Sequence, residues 1–288
     1  PLLFVIYINE LFNLELKCKI TGYADDTSLL YSAPSAEQIN ANFSHDGRIL
    51  TKWFRENFLH LNTNKCCSII YSYTRIRWAK DIKLRLGEEN LEMVKNVKYL
   101  GLLIDEKLTW REHSTILQKK LIKLNFLFYH LKSYFNIRHL IKLYRPLYES
   151  ALSYGIMHWG ASRHIRPVKI LQNKLCRSIL SLSPRTSENT VYGKMKVMKL
   201  EELYRNKFLM FLFKNQNSFE LHYNKRTNTR LTVSKIAAYP KWKKEHARMQ
   251  ARYQGAKLFN NLPREARDET RLSVFKGWIR PSFAKGLE

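Results

Sequence analysis

The spacing of apolar residues changes near Trp110, and this change constrains the fold more than any other feature of the chain. Before Trp110, short runs such as 17–23 and 97–105 have the apolar patterns of strands. After it, apolar residues recur every three or four positions, which is the pattern of amphipathic helices. We therefore predict an α+β fold, in which a part with strands and helices precedes an all-helical part.

The part before Trp110 contains a pattern typical of a β-hairpin. Residues 17–23 and 27–31 are strand-like, with Ala24, Asp25 and Asp26 as a tight turn between them. A helix is predicted from Pro34-Ser35 to about residue 57, whereas residues 2–12 fit a helix or a strand equally well. Further strand-like segments lie at 66–72, 82–86, 91–94 and 97–105. A hairpin loop at 87–90 is expected to join the middle two.

The part after Trp110 is predicted to be a helical bundle with a basic tail. Its helical stripes lie at 117–135, 140–151, 168–182 and 200–211. Between about 214 and 256 the sequence is polar and basic, which predicts mobile loops with one short helix. The apolar residues near 258–275 are expected to fold back onto the bundle.

The net charge also divides at this point. The chain has 288 residues, 50 Lys and Arg against 24 Asp and Glu, and a net charge of +26, yet 45% of it is hydrophobic. Residues 1–110 hold 14 basic and 13 acidic residues, whereas residues 111–288 hold 36 and 11. The apolar content excludes a disordered basic tail. The surplus charge predicts a polyanionic partner, and nucleic acid is favoured over an anionic membrane surface.

The lengths of the apolar runs and the spacing of the cysteines further narrow the classes of protein to which the chain can belong. The longest apolar run, 2–8, is far shorter than the ~20 residues of a membrane-spanning helix, so we expect a soluble protein without a membrane partner. The four cysteines lack CxxC spacing, which predicts no zinc site and no disulfide-linked partner, as is typical of a reducing cytosol or nucleus. Because an apolar element begins directly at Pro1, we expect a fragment of a longer protein.

The pair Asp25-Asp26 is the strongest candidate for chemistry. Two neighbouring carboxylates are stabilised by a counter-ion, for which a divalent metal is suited. The alternative is that both are turn residues, because Asp favours turns by hydrogen bonding to its own backbone. The pair alone leaves both interpretations open.

Five segments supply the context: PLLFVIYINEL, GYADDTSLL, WFRENFLHLNTNKC, KYLGLLIDEKLTWREH and LYRPLYESALSYGIMHWG. In this order they resemble the second half of the reverse transcriptase of non-LTR (LINE-like) retrotransposons of the jockey or CR1 type. GAKLFNNLPREAR resembles the C-terminal tail of the same polyproteins, so the resemblance covers nearly the whole chain. It implies a partial polymerase palm, an antiparallel sheet with helices, at 1–110. An all-helical thumb at 111–213 and a basic C-terminal region at 214–288 would follow.

The resemblance also implies roles for individual residues. Asp25 would ligate catalytic Mg²⁺, of which two ions are expected in the intact enzyme, with Asp26 as its neighbour and Tyr23 in the same motif. Lys65 would protonate the leaving pyrophosphate, although its position alone favours a solvated lysine before a strand. A further set would contact nucleic acid: Tyr99, Leu100 and Gly101 as the primer grip, and Lys119, Lys120, Lys123, Arg138 and Lys142 on the thumb.

The function implied is RNA-directed DNA synthesis, in which dNTPs are added to a primer 3′-OH along an RNA template. The family's other metal-binding Asp belongs to a motif upstream of Pro1, so we expect the chain alone to be inactive. Two alternatives remain open, a non-catalytic basic nucleic-acid-binding protein and a decayed transposon relic. A polymerase of this kind would act in the nucleus and cytoplasm as a ribonucleoprotein with element RNA.

Overall fold

The computed structural model describes residues 2–71, 77–87, 89–215, 221–223, 235–237 and 251–279. It divides the chain into two compact units. The first unit contains residues 1–99 and 105–108, and the second unit contains residues 100–104 and 109–288. The described residues are a mixture of helices and small sheets, so the α+β prediction is confirmed.

Two helices form the core of the first unit. Helix α1 (Leu2–Ile8) continues into a 3₁₀ turn at Asn9–Asn13, so the helical alternative for residues 2–12 is the one found. Helix α2 (Ala36–Glu56) confirms the second predicted helix and begins after Ser35, whose Oγ accepts a hydrogen bond from the Gln38 N–H. The apolar faces meet in a small buried cluster: Ile8, Leu11, Leu50 and Trp53.

The described strands form separate two-stranded sheets. The first is the predicted hairpin, β1 (Lys19–Tyr23) with β2 (Asp26–Leu30). Three others pair β3 (Cys67–Ser68) with β6 (Glu92–Met93), β4 (Arg85–Leu86) with β5 (Glu89–Asn90), and β7 (Asn96–Tyr99) with β8 (Leu102–Asp105). The β3–β6 pair is parallel, so the described strands do not form the single antiparallel sheet that was expected. Strands of two to five residues offer few ladder hydrogen bonds with which to extend a sheet.

Two strand predictions need correction. The loop predicted at 87–90 is shorter, because Glu89 and Asn90 pair with β4 instead of lying in the turn. The segment 97–105 is two strands, because the backbone reverses at Leu100 and Gly101, which have φ of 46° and 78°. Two consecutive residues of positive φ form the tight turn that suits the twist of a hairpin.

Helices make up most of the second unit. They are α3 (Arg111–Leu131), α4 (Ile137–Tyr144), α5 (Ser150–Ser153), α6 (Ile156–Trp159), α7 (Arg166–Ile179), α8 (Glu188–Met195) and α9 (Leu200–Lys214). All four predicted stripes are helical, but the stripe 140–151 is interrupted by a π-helical turn at Arg145–Glu149. Pro146 explains the interruption, because proline lacks the N–H that a regular helix requires. Helices α6 and α8 were not predicted.

The C-terminal region adds a second, smaller core. Strands β9 (Leu221–Tyr223) and β10 (Lys235–Ala237) pair antiparallel and precede α10 (Ala251–Asn260), α11 (Arg264–Asp268) and α12 (Leu272–Trp278). The prediction of loops at 214–256 is therefore wrong at both strands, whereas the start of α10 agrees with the short helix expected in this range. The remainder of the range lies largely outside the described residues. The predicted return of the C-terminal apolar residues onto the bundle is confirmed, because Phe259 and Phe275 are buried with Leu209 and Leu212 of α9.

Within the described part of the chain, no helix combines the length and apolarity needed to cross a membrane.

Candidate active site

The β1–β2 hairpin presents the two candidate carboxylates at its tip. Tyr23 and Asp26 are the last paired residues of the ladder, and Ala24 and Asp25 form the turn between them. Ala24 has φ of 52°, a left-handed conformation that is uncommon outside glycine and is enriched at functional sites. All four side chains are exposed, so the tip can meet a ligand in solvent.

The residue before Tyr23 must be small because an aromatic ring lies against it. A Cβ atom added to Gly22 would overlap the ring of Phe12, which belongs to the 3₁₀ turn after α1. Gly22 thus allows close contact between the hairpin and the N-terminal helical segment.

One buried carboxylate of α2 holds both strands of the hairpin at its base. Asp46 is fully buried, and its Oδ1 accepts hydrogen bonds from the Lys17 N–H at 2.9 Å and from His45 Nδ1 at 3.0 Å. Its Oδ2 accepts from the Cys18 N–H and the Tyr31 hydroxyl, both at 3.0 Å. Because Lys17 and Cys18 precede β1 and Tyr31 follows β2, Asp46 fixes the two ends of the hairpin to one helix.

The electrostatics of this contact favour the ionised carboxylate. Burial by itself raises the pKa of Asp46, but the hydrogen bonds from His45, Lys17, Tyr31 and Cys18 together hold the pKa below its usual value. Burial raises the pKa of Tyr31, and the neighbouring Cys18 and Asp46 add to that rise. Tyr31 therefore stays protonated and can donate its hydrogen bond to Asp46.

The carboxylate oxygens at the hairpin tip are suited to supply some of the ligands of a magnesium ion. Exposed carboxylate oxygens are preferred ligands of Mg²⁺, and Asp25 and Asp26 supply them side by side. Within the described ranges, no group of three or more His, Cys, Asp or Glu side chains is close enough to hold a metal ion. The hairpin thus offers part of a metal-binding set.

Lys65 lies apart from this tip in the chain. It ends a 3₁₀ turn, Thr63–Lys65, directly before β3, and its side chain is exposed. The described residues show no hydrogen bond or ion pair that joins Lys65 to Asp25 or Asp26. The structure therefore brings together Tyr23, Asp25 and Asp26 but does not bring Lys65 into contact with them.

The predicted primer-grip turn is supported by a tyrosine within the second unit. The Tyr154 hydroxyl donates a hydrogen bond to the Leu100 carbonyl oxygen. A Cβ atom on Gly101 would lie 3.3 Å from a Tyr154 ring carbon, which is a tight contact, and the positive φ of Gly101 also disfavours larger residues. Tyr99 is half-buried at the end of β7.

A buried histidine also supports the strand that follows this turn. His113 of α3 lies between Trp110 and Trp159, with ring centroids 6.1 Å and 5.8 Å away. Its Nδ1 accepts a hydrogen bond from the Leu103 N–H at 3.4 Å. Burial lowers the pKa of His113, and the neutral ring that results can act as this acceptor.

The predicted nucleic-acid-binding cations lie on two helices of the second unit. Lys119, Lys120 and Lys123 of α3 and Arg138 and Lys142 of α4 are all exposed. Among the described residues, none of the five has an ion pair with a carboxylate. Lys169 of α7 differs, because it pairs with Glu201 of α9. The five cations therefore remain available to a phosphate backbone.

Two residues of these sites were missed by sequence reasoning. Asp46 lies in the middle of a helix and Tyr154 in a segment that was quoted only as part of the resemblance. The acidic residue on an otherwise apolar face of α2 was the available signal for Asp46, since a buried carboxylate needs partners. Nothing in the spacing of Tyr154 indicates its contact with Leu100.

The chain is similar in sequence to known proteins. Residues 1–104 match the family described as reverse transcriptase (RNA-dependent DNA polymerase). The chain is 21% identical over 206 residues to a probable RNA-directed DNA polymerase from transposon X-element of Drosophila melanogaster, with 68% of this chain and 22% of that protein covered.

Two further relatives are the RNA-directed DNA polymerases from mobile element jockey of Drosophila melanogaster and Drosophila funebris. Each is 23% identical over 65% of this chain, with 21% and 20% of the respective relative covered. The chain thus spans about a fifth of the length of these relatives. No solved structure gives a significant match. Residues 1–104 therefore resemble the reverse transcriptase family, and the relatives that the chain matches include the polymerases of mobile element jockey.

Proposed function

We propose that this chain forms part of an RNA-directed DNA polymerase that adds dNTPs to a primer 3′-OH along an RNA template. The observation that carries the proposal is the β1–β2 hairpin, which exposes Asp25 and Asp26 at its tip within the segment that matches the reverse transcriptase family. The names of the relatives support the same activity.

In this proposal Asp25 and Asp26 hold Mg²⁺, the metal that reverse transcriptases generally use. Bound Mg²⁺ ions supply Lewis acidity for the attacking hydroxyl and neutralise charge on the triphosphate. Lys65 would place positive charge, and a proton, where the leaving pyrophosphate develops negative charge. The turn at Leu100–Gly101, with Tyr99 before it, would position the primer end.

We further propose that the first unit corresponds to a polymerase palm and the helices of the second unit to a thumb, with a basic C-terminal region after about residue 213. The five exposed cations of α3 and α4 would then contact the backbone of the RNA template and DNA primer. Tyr23, beside the two carboxylates, would contact the primer terminus. Action as a ribonucleoprotein with element RNA, in the nucleus and cytoplasm, belongs to the same proposal.

The 288 residues alone are expected to polymerise negligibly. Asp25 and Asp26 offer fewer oxygen ligands than a fixed pair of Mg²⁺ ions requires, and the resemblance assigns the remaining metal-binding Asp to a motif outside residues 1–288. A segment that carries this motif, supplied in trans, is therefore expected to restore synthesis.

The test measures dTTP incorporation on poly(rA)/oligo(dT) with Mg²⁺ present. The chain alone should give background signal, and the chain with the supplying segment should give synthesis that Asp25→Ala abolishes. Glu37→Ala is a matched control, because Glu37 is an exposed acid of the same unit outside the hairpin. Synthesis that is unaffected by Asp25→Ala would contradict the assigned role.

A second candidate function is non-catalytic nucleic-acid binding. The observation that favours it is the basic surface on α3 and α4, which lies wholly in the second unit and requires no metal. The two functions are separated by the trans experiment, since only the polymerase predicts synthesis that depends on Asp25.

A further inference from the structure

The side of α3 that faces away from the core carries a group of exposed rings. Phe126 is 67% exposed and Tyr129 is 66% exposed, and His130 beside them is also exposed. Tyr134, which follows the helix, is 84% exposed. We call Phe126, Tyr129 and His130 the outer-face rings. Exposure of this much aromatic surface at neighbouring positions is unusual for a helix whose opposite side is packed.

The outer-face rings contact one another. The ring centroids of Phe126 and His130 lie 4.4 Å apart at an interplanar angle of 74°, and those of Tyr129 and His130 lie 5.8 Å apart at 83°. The buried residues of α3, which include Leu117, Leu121 and Phe128, occupy its opposite side. The rings are therefore an external cluster with faces open to solvent.

The surroundings of these rings are exclusively basic in sequence. No Asp or Glu occurs between residues 113 and 148, whereas seven Lys or Arg residues do. At 100° per residue, Lys119 and Lys123 fall on the same stripe of α3 as Phe126 and His130, one to three turns before them. A ligand along this stripe meets two ammonium groups and then aromatic faces.

We propose that the outer face of α3 binds an unpaired stretch of nucleic acid, with bases stacked on the outer-face rings and phosphates beside Lys119 and Lys123. This inference rests on the proposed nucleic-acid function and adds the state of the strand that is bound. A duplex hides its base faces, so binding to duplex phosphates would leave the rings without a role. Single strands combine negative charge with free π-faces, and both match this surface.

The expected effect is set by stacking. Removal of an aromatic partner weakens binding by about 5-fold to 150-fold per stacked base, and it does so with little dependence on base identity. Removal of a lysine acts on the phosphates instead, and it weakens binding to every nucleic acid in a way that depends on salt.

The test is fluorescence anisotropy with labelled 16-nucleotide probes at one fixed salt concentration. The probes are a single-stranded RNA, the single-stranded DNA of the same sequence, a DNA of the same length with abasic sites, and a duplex. We expect the full chain to bind both single strands that carry bases at least 5-fold more tightly than the abasic strand, a factor that corresponds to one stacked base. A difference between RNA and DNA would identify which strand the surface prefers.

Substitutions of the outer-face rings test whether these rings cause the preference for strands with bases. Tyr129→Leu should reduce the preference for strands with bases, and Tyr129→Phe should retain it, because only the second keeps a ring. Phe126→Leu should act like Tyr129→Leu. Phe58→Leu is the matched control, because Phe58 is a 91% exposed aromatic residue of the first unit, and it should change nothing. Circular dichroism checks that each variant is folded.

Equal affinity for the abasic strand and for the strands with bases would overturn the proposal, as would an unchanged preference in Tyr129→Leu and Phe126→Leu. A concentration-dependent dimer that the same variants abolish would also overturn it, since the rings would then contact a second copy. Failure of the proposed polymerase function is distinguishable from failure of this inference. In that case no DNA synthesis would be seen when the missing segment is supplied in trans, while the preference for strands with bases would persist in the anisotropy assay.

Discussion

The two units are stabilised by different kinds of interaction. Among the described residues, the second unit buries a continuous apolar cluster across α3 to α9, with Trp159, Tyr144 and Tyr148 fully buried. The first unit has a much smaller cluster around Leu11 and Trp53, and α1 leaves apolar side chains such as Leu3 exposed. The helical surface therefore rests on packing, whereas the hairpin rests on a few specific contacts.

The buried polar residues sharpen this comparison. In the second unit, Gln172 joins three segments with neutral hydrogen bonds, because its amide donates to the Tyr144 hydroxyl at 2.8 Å and to the Met198 carbonyl, and accepts from the Leu200 N–H. In the first unit, Asp46 performs the corresponding task as a carboxylate. Only the Asp46 network contains a carboxylate, which titrates below neutral pH, so pH is expected to affect the units differently.

The largest expected effect concerns the charge of the second unit. If the five cations of α3 and α4 each neutralise one phosphate of a duplex, the logarithm of affinity should fall with log salt at a slope of about −4.5. That slope corresponds to a loss of about 500-fold between 50 and 200 mM salt. Anisotropy titrations over this range test it. Combined Lys119→Ala, Lys120→Ala and Lys123→Ala should flatten the slope by about 2.7.

The first unit supplies the control for this measurement. Asp25→Asn should leave both affinity and slope unchanged if the two units have separate roles. A slope near zero would refute the phosphate-binding surface.

The next largest effect is expected in the core of the second unit. Trp159→Ala should reduce the free energy of unfolding by about 3–5 kcal/mol, because Trp159 is 1% exposed and also donates from Nε1 to the Tyr154 carbonyl. Urea denaturation monitored by circular dichroism measures the change. Trp278→Ala is the matched control, since Trp278 is 38% exposed and should cost far less.

A smaller effect is expected at the base of the hairpin. Asp46→Asn should reduce the free energy of unfolding by about 2–4 kcal/mol, because the amide retains one acceptor oxygen for four donors and leaves buried N–H groups unpaired. Amide hydrogen exchange should become faster at Lys17 and Cys18 and should change less at other amides. Gln172→Glu in the second unit is the converse substitution and should introduce pH dependence where none is expected.

The pH dependence of the hairpin follows from the same residue. The folded pKa of Asp46 lies below its unfolded value, so the stability that Asp46 gives to the hairpin is fully present above the unfolded pKa of about 3.8. The contribution is lost as the pH falls below that value through the folded pKa. Protection of the Lys17 and Cys18 amides should therefore be constant from pH 7 to about 5 and decline below pH 4. Constant protection down to pH 2 would contradict the role of Asp46.

The smallest effect is expected at the close contact beside the hairpin tip. Gly22→Ala should reduce the free energy of unfolding by about 1–3 kcal/mol, because the new methyl group overlaps the Phe12 ring. Phe12→Leu in the same chain should recover part of the loss by making room. Thermal unfolding of the single and double variants tests this coupling, and additive effects would show that the two residues do not interact.

Several elements followed from sequence patterns alone. The alternation at 17–31 predicted the hairpin with Asp25 in its turn, and the cap at Ser35 predicted the start of α2. The 3–4 spacing predicted α3, α4, α7 and α9 of the second unit. These predictions succeeded because periodicity and capping are local properties, which neighbouring residues along the chain determine.

Other elements could not be predicted in this way. The pairing of β3 with β6 joins residues 25 positions apart, and strands of two residues carry no alternation to detect. The roles predicted for Tyr23 and Lys65 came from the resemblance, whereas Asp25 and Asp26 were also candidates from their own pattern. The structure groups Tyr23 with these two carboxylates at the hairpin tip but does not group Lys65 with them. Asp46 was missed because three of its four partners lie 15 to 29 residues away in the chain.

The sequence by itself determined the α+β class, the separation of charge near Trp110 and the similarity of residues 1–104 to reverse transcriptases, since each is encoded in composition, local spacing or motif. Only the tertiary structure decided that Asp46 holds the hairpin, that Tyr154 supports the turn at Leu100, and that the rings of α3 face solvent. These depend on which distant groups meet when apolar faces are buried, and burial is a property of the whole fold.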